Sequence, residues 1–147
     1  MITDMATVKT LARIPETTGE GVPTDEAGAG DIYMDTDTGL TYEYDGTAWQ
    51  PYTEFDGIIL LQLAKVEADY LRIRGVPFEV EDGDPVYPDG SNVTAAEMVC
   101  YLTGIGDYEG RGKQSEGLAG RSASFDSKIF GYPASIVGTI KRYVGTQ

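Results

Sequence analysis

Asp35-Thr36-Asp37-Thr38-Gly39 places oxygen donors at alternate positions, the spacing that a hard cation such as Ca²⁺ prefers. An EF-hand loop counted from Asp35 would need Gly at its sixth position and Glu at its twelfth. The chain has Leu40 and Gly46 there, so the run reads as turn chemistry instead. Glu79, Glu81, Asp82 and Asp84 offer paired carboxyls. Glycoside hydrolysis needs two of them held about 5 to 9 Å apart in a cleft. A connector broken by Pro and Gly is a poor place to hold them, so these acids read as solvated charge. The stretch "GIGDYEGRG", residues 104 to 112, is glycine-rich enough to cradle phosphate. It lacks a preceding strand, a following helix and a closing Lys-Ser/Thr pair, so it reads as a loop.

The chain has no histidine, which removes the commonest general base and the Ser-His and Cys-His nucleophile systems. Its single cysteine, Cys100, falls in an apolar helical pattern and reads as a small buried hydrophobe. The expectation is a protein without catalysis, cofactor or metal. Two groups are better suited to binding. Tyr33, Tyr42, Tyr44, Trp49 and Tyr52 could stack on a sugar ring, although such residues more often form the core of their own strands. Arg111, Lys113 and Arg121 bracket "KQSEGLAGRSASFD", residues 113 to 126, and form the densest basic cluster in the chain.

Charge divides the chain. Of 147 residues, those from 15 to 56 hold eleven acids and no Lys or Arg, whereas the rest is nearly balanced. The net charge of −13 disfavours ordinary binding to nucleic acid or to an anionic membrane. The longest strictly apolar run, Ile58 to Leu61, is far too short for a bilayer, and the N-terminus has no signal pattern, so synthesis and retention in a cytoplasm are expected.

The elements that must position these residues are mostly helical in pattern. Thr3 to Ile14 reads as a short helix with Val8, Leu11 and Ala12 on one face, capped by Thr3 or Asp4 and stopped by Pro15. A loop follows to about residue 30. Residues 30 to 52 alternate apolar and polar side chains around turn glycines, so a hairpin or three-stranded meander is expected, with Trp49 and Tyr52 on its last strand. Asp56 then caps a helix of about 28 Å. Its apolar face is Ile59, Leu63, Val66, Tyr70 and Ile73, widened by Leu60, Ala64 and Leu71. Residues 77 to 92 read as a turn-rich connector. Thr94-Ala95-Ala96-Glu97 has the form of a capping box, opening a helix with Ala95, Met98, Val99 and Leu102 buried and Gly104 at its end. Pro133 begins a last helix, with Ile136, Val137, Ile140, Tyr143 and Val144 on its apolar face. The predicted fold is mainly α. It is one domain over 1–147: a bundle of about four helices, with 15–54 an acidic β insertion, 55–104 and 132–145 the helical core, and 105–131 an extended Gly/Ser-rich arm.

Four features occur in order: a short N-terminal helix, a long helix ending in "DYLRIRG", a helix with "AAEMVCYL", and "SEGLAGRSASF" followed by "YPASI" and "KRY". This order resembles the head–tail connector, or adaptor, proteins of tailed bacteriophages. Ser115, Glu116, Gly117, Gly120, Ser122, Ser124 and Phe125 match the middle motif, and Tyr132, Pro133, Ile136 and Tyr143 the last. The resemblance covers residues 1 to 14 and about 55 to 147. The stretch "GDIYMDTDTGLTYEYDGTAW" is similar to short segments found in phage structural proteins.

The resemblance implies a non-enzymatic virion subunit, assembled in the bacterial cytoplasm and located in the neck. Such a ring docks on the portal protein, contacts sister subunits, presents a lower face to a stopper or tail-completion protein, and passes DNA without gripping it. Its closure would follow the portal's twelvefold symmetry, on the portal as template. The contact segments implied are Arg111, Lys113, Ser115, Glu116, Gly117, Arg121, Ser122, Ser124 and Phe125, then Tyr132, Pro133, Lys141, Arg142 and Tyr143, with Tyr42, Tyr44, Trp49 and Tyr52 as contacts of the insertion. The period-two pattern of Ser122, Ser124 and Asp126 would let the arm add to a neighbour's sheet edge, anchored by Phe125. The competing expectation is a tail or capsid accessory that binds a host glycan through the aromatic insertion.

Overall fold

The computed structural model describes residues 1–105 and 127–143 in full, together with the backbone of 113–114 and 124–125. The fold is mixed α/β, not mainly α. Among the residues described in full, four helices account for 35% and eight strands in three sheets for 20%. The helices are α1 (Met5–Leu11), α2 (Asp56–Arg74), α3 (Ser91–Thr103) and the single turn α4 (Ala134–Val137). The insertion carries β1 (Thr17–Gly19), β2 (Ile32–Asp35), β3 (Thr41–Tyr44) and β4 (Trp49–Tyr52), ordered β1-β2-β3-β4.

The meander of β2, β3 and β4 follows from its turn residues. Gly39 and Gly46 both hold positive φ, and Asp45 Oδ1 accepts from the N–H groups of Thr47 and Ala48, so the β3–β4 turn is tied by its own side chain. β1 was not expected. Part of the acidic loop pairs in parallel with β2, Thr17 opposite Tyr33 and Gly19 opposite Asp35. This pairing is legible only in three dimensions, because three residues of Thr and Gly carry no strand pattern of their own.

α1 begins as expected: the Asp4 carboxylate accepts from Thr7 N–H at 2.8 Å. α2 buries Ile59, Val66, Tyr70 and Ile73 against α1 and α3. Each such burial stabilises by about 1.5–3 kcal/mol. The same helix leaves Leu60 and Ala64 exposed, where a wider buried stripe was expected. Helices cover only one side of it. Gly75, with φ 91, ends α2 as a left-handed cap.

Three expectations about the second half need correction. Residues 79–86, read as a connector, form a hairpin of β5 (Glu79–Glu81) and β6 (Asp84–Val86), turned by Asp82 and Gly83, both at positive φ. α3 starts at Ser91 after left-handed Gly90, a turn before the capping box at Thr94. The 88–91 turn sets that start: Ser91 N–H donates to Pro88 O and Thr94 N–H to Gly90 O. The last helix stops after Val137 instead of reaching 144. Gly138 and Thr139 are weak helix formers, and Tyr143 N–H donates instead to Arg74 O at 2.7 Å, drawing 141–143 out along the end of α2.

The core joins α1, α2, α3 and α4, with Val8, Ile59, Val66, Met98, Val99, Cys100 and Val137 fully enclosed. Cys100 is buried in this core, as its pattern indicated, with its thiol 3.7 Å from Val8 O.

Candidate functional site

The acidic insertion builds a sizeable concavity. The loop of residues 20–27 stands off the sheet and leaves a cavity of about 590 Å³ against β1, β2 and β4. Tyr33 and Trp49 form one wall, their ring centroids 5.9 Å apart and tilted by 55°. Tyr44 stacks edge-on behind Trp49 at 5.1 Å. The Tyr33 hydroxyl donates to Gly21 O and Gly21 N–H donates to Asp35, so both ends of this contact pin the loop. Glu20, Asp25, Glu26 and Asp31 line the remaining sides.

Asp35, the first residue of the cation-like run, is buried and serves as a turn acceptor. Its Oδ1 accepts from the N–H groups of Asp37 and Gly21. The bond from Asp37 is the larger reason that its carboxyl is held below the usual range, against the opposing effect of burial. Among the described residues, no three His, Cys, Asp or Glu side chains converge to hold a metal. Glu79, Glu81 and Asp84 are exposed on the β5–β6 hairpin, so no cleft holds them.

The aromatic residues of the insertion separate into two roles. Tyr44 is buried and donates to Thr47 O. Tyr52 donates to Glu54 at 2.5 Å; that bond, with burial, pushes its phenol up to about 12. Tyr42 is half-buried across from Pro51. Trp49 is half-buried too, and its Nε1–H is used internally, donating to Asp25 O at 2.7 Å.

Tyr132 and Pro133, expected at an interface, belong to the interior. Tyr132 is 1% exposed and donates to Asp69 Oδ2 at 2.5 Å. Burial, together with that carboxylate, raises the Tyr132 phenol far above its ordinary range. Asp69 also receives Lys65 Nζ at 2.5 Å and faces Arg72 at 3.6 Å. Burial alone would raise Asp69; the hydrogen bonds from Lys65 and Tyr132 outweigh it and hold the carboxyl low. This cluster fastens the 128–133 hairpin to α2. A lone Asp on the polar side of a helical stripe gave no hint of it.

Lys141, Arg142 and Tyr143 remain at the surface. Arg74 is buried between the rings of Tyr143 at 4.9 Å and Phe78 at 5.6 Å. Arg111, Ser115, Glu116, Gly117, Arg121 and Ser122 lie outside the described residues. Lys113 pairs with Phe125 and Gln114 with Ser124 as a short antiparallel ladder, so part of the arm's backbone meets its own chain.

The surface feature that sequence reasoning missed is on α2. Ile58, Leu60 and Leu61 are 41%, 55% and 76% exposed, three large apolar side chains left in water over the first turns of the longest helix. The signal was present: apolar residues run right round this turn, more than one neighbour can cover. Among the described residues no helix is long and apolar enough to cross a membrane. No family model, curated protein or solved structure matches the chain.

Proposed function

We propose that this chain is a structural subunit of a tailed-phage neck ring, a head–tail adaptor that docks under the portal, extends the DNA channel and meets a stopper or tail-completion protein below. The observation that carries the reading is the exposed edge of Ile58, Leu60 and Leu61 on α2. A protein that works alone has little reason to leave three large apolar side chains of one helix end in water, and a ring subunit can cover them with its neighbour. The ordered resemblance of 1–14 and 55–147 to adaptor proteins supports the same reading. The acidic surface fits a lumen that should not grip DNA phosphates.

The test is microscopy of purified particles labelled on this chain, combined with Leu61→Glu. The variant should fold normally and leave filled heads unjoined to tails. Label absent from the neck, or normal joining by the variant, would overturn the reading. Glycan binding through the aromatic insertion is the alternative reading, with Tyr33 and Trp49 on the wall of its cavity. A glycan array with Trp49→Ala separates the two.

A further inference from the structure

α2 is apolar on two sides, and the fold covers only one. Ile59, Val66, Tyr70 and Ile73 face the core. Gly57, Leu61, Ala64, Ala68 and Leu71, with Gly75 just past the last turn, recur at alternating spacings of four and three on nearly the opposite side. At 3.6 residues per turn they keep within a sector of about 80°. All are exposed except Leu71, which is half-buried. A chain with 24 acids places none of them on this line. A helix covered on one side ordinarily carries charge on the other, and one that is apolar all round is buried.

The spacing is that of a coiled-coil seam, positions a and d of a heptad. Gly57, Ala64 and Leu71 take d, and Leu61, Ala68 and Gly75 take a. The flanks follow from this. Position g holds Leu60, Glu67 and the buried Arg74, and position e holds Ile58, Lys65 and Arg72. Ala68, Leu71, Arg72 and Gly75 line a groove of about 490 Å³, together with Val76 and Pro77. Those first four are a, d, e and the next a, the socket that receives a d-position knob of a facing helix. Glu67 Oε1 accepts from Ile2 N–H at 2.8 Å, which fixes its carboxylate on the g flank. Arg72 is 60% exposed, lies over the Phe130 ring and meets Asp69 through one nitrogen at 3.6 Å.

We propose that this seam takes the same seam of a second copy, with the two α2 helices parallel. The socket sets the register: Leu71 of one copy enters the groove of the other, because it is the d residue at that level. Charge sets the direction. In a parallel pair each g residue faces the e residue five positions on in its partner. Glu67 thus meets Arg72 of the partner subunit, twice by symmetry, and Leu60 lies along the stem of Lys65 of the partner subunit. In the reverse direction Glu67 would face its own copy across the seam, and so would the Lys65 and Arg72 flank, setting like charge on like. Gly57, Ala64 and Ala68 let the two backbones approach, and Leu61 and Leu71 supply the bulk. The pair closes on itself about a two-fold axis. It is therefore a form of the free chain and stands without the adaptor reading. Where that reading holds, the pair keeps Leu61 covered until a ring neighbour replaces the second copy.

Full-length variants test the seam and its direction. Sedimentation of the wild type should show a monomer–dimer equilibrium. Ala68→Glu should weaken it by about tenfold or more with unchanged circular dichroism; if the charge lowers melting, Ala68→Gln replaces it. Glu67→Arg and Arg72→Glu should each weaken association alone and restore it when mixed, because the exchanged charges then face each other. Gly57→Cys reads the direction. A Cβ there meets nothing within 4 Å, so the fold should be untouched. In a parallel pair the two introduced thiols face each other and should oxidise to a linked dimer. In an antiparallel pair they sit at opposite ends of a helix about 28 Å long. Asp89→Cys, exposed and off the seam, is the collision control. A wild type that stays monomeric at all concentrations, or Gly57→Cys linking no faster than Asp89→Cys, overturns the pairing. Unaltered association of the Ala68 variant does the same. A linked Gly57→Cys dimer from a chain that no label finds in the neck would fail the adaptor reading and keep the pair.

Discussion

Lys9 of α1 and Asp56, the first residue of α2, meet at 2.6 Å with the lysine side chain 1% exposed. The same ammonium donates to Gly39 O at 2.8 Å and to Thr41 Oγ1 at 3.1 Å, in and beside β3. One buried cation thus ties both helices to the inserted sheet. All three of its protons find acceptors, which is the condition for a buried charge to be tolerated. Gly39 is the counterpart: a Cβ there would sit 2.8 Å from Ala6 N, so only glycine lets the turn reach α1.

Lys9→Ala should therefore destabilise by about 3 kcal/mol, the lower part of the range for breaking a buried pair, since Asp56 keeps some contact with water. Amide exchange should accelerate in residues 32–52 before it does in α3. Urea unfolding of the variant measures the first; a loss below about 1 kcal/mol would remove the clamp from this account.

Tyr132→Phe deletes one hydrogen bond to a charged carboxylate and little volume. The expected loss is about 2 kcal/mol. Asp69→Asn and Tyr132→Phe should be strongly non-additive, because both act on one contact at 2.5 Å. Independent losses in a double-mutant cycle would contradict the shared network.

Acid should unfold this protein partly through Asp69 and Asp35. Both carboxyls are held below the ordinary 3.8. A group with a depressed folded value binds fewer protons folded than unfolded near that pH. Its stabilisation is present above the unfolded value and is lost as pH falls through the folded one. Asp69→Asn should be less stable at neutral pH and show a shallower fall in stability below about pH 4. Parallel wild-type and variant curves through that window would refute the assignment.

Gly75→Ala should loosen the C-terminal segment. The position has φ 91, and a Cβ would collide with Tyr143 O, a contact that requires backbone to move. The backbone strain alone costs about 1–3 kcal/mol. Thermal melting should fall, and the exchange of Tyr143 N–H, bonded to Arg74 O, should rise. A variant as stable as wild type would show that 141–143 is not fastened there.

Ile59 and Leu61 separate folding from assembly on one helix. Ile59 is fully buried and Leu61 is 76% exposed. Ile59→Ala should cost about 3 kcal/mol. Leu61→Ala should change stability by no more than about 0.5 kcal/mol while weakening association with sister subunits. Equal effects on melting would mean that the exposed edge is covered within the monomer.

Much of the frame was legible in order of residues. The Asp4 cap, the meander at 32–52, the face of Ile59, Val66, Tyr70 and Ile73, and the stop at Gly104 all follow local rules that act within a few residues. The Asp82-Gly83 turn has hairpin chemistry too, but the Pro residues around it pattern as a plain connector. The mainly α expectation failed there and at 138–143, where a long-range bond from Tyr143 to Arg74 O competes with a weak helix.

Composition and local periodicity, then, determined α1, the face of α2, the turns of the meander and the segregation of acid into residues 15–56. They could not determine which partners those groups take. Lys9 at the end of a short helix looks like a solvated cation until α2 and β3 arrive around it, and Tyr132 looks like a contact residue until Asp69 receives its hydroxyl. The reason is physical: periodicity says which side of an element is apolar, whereas burial of a charge or a phenol depends on neighbours 47 and 63 residues away, brought there only by the packing of the whole chain.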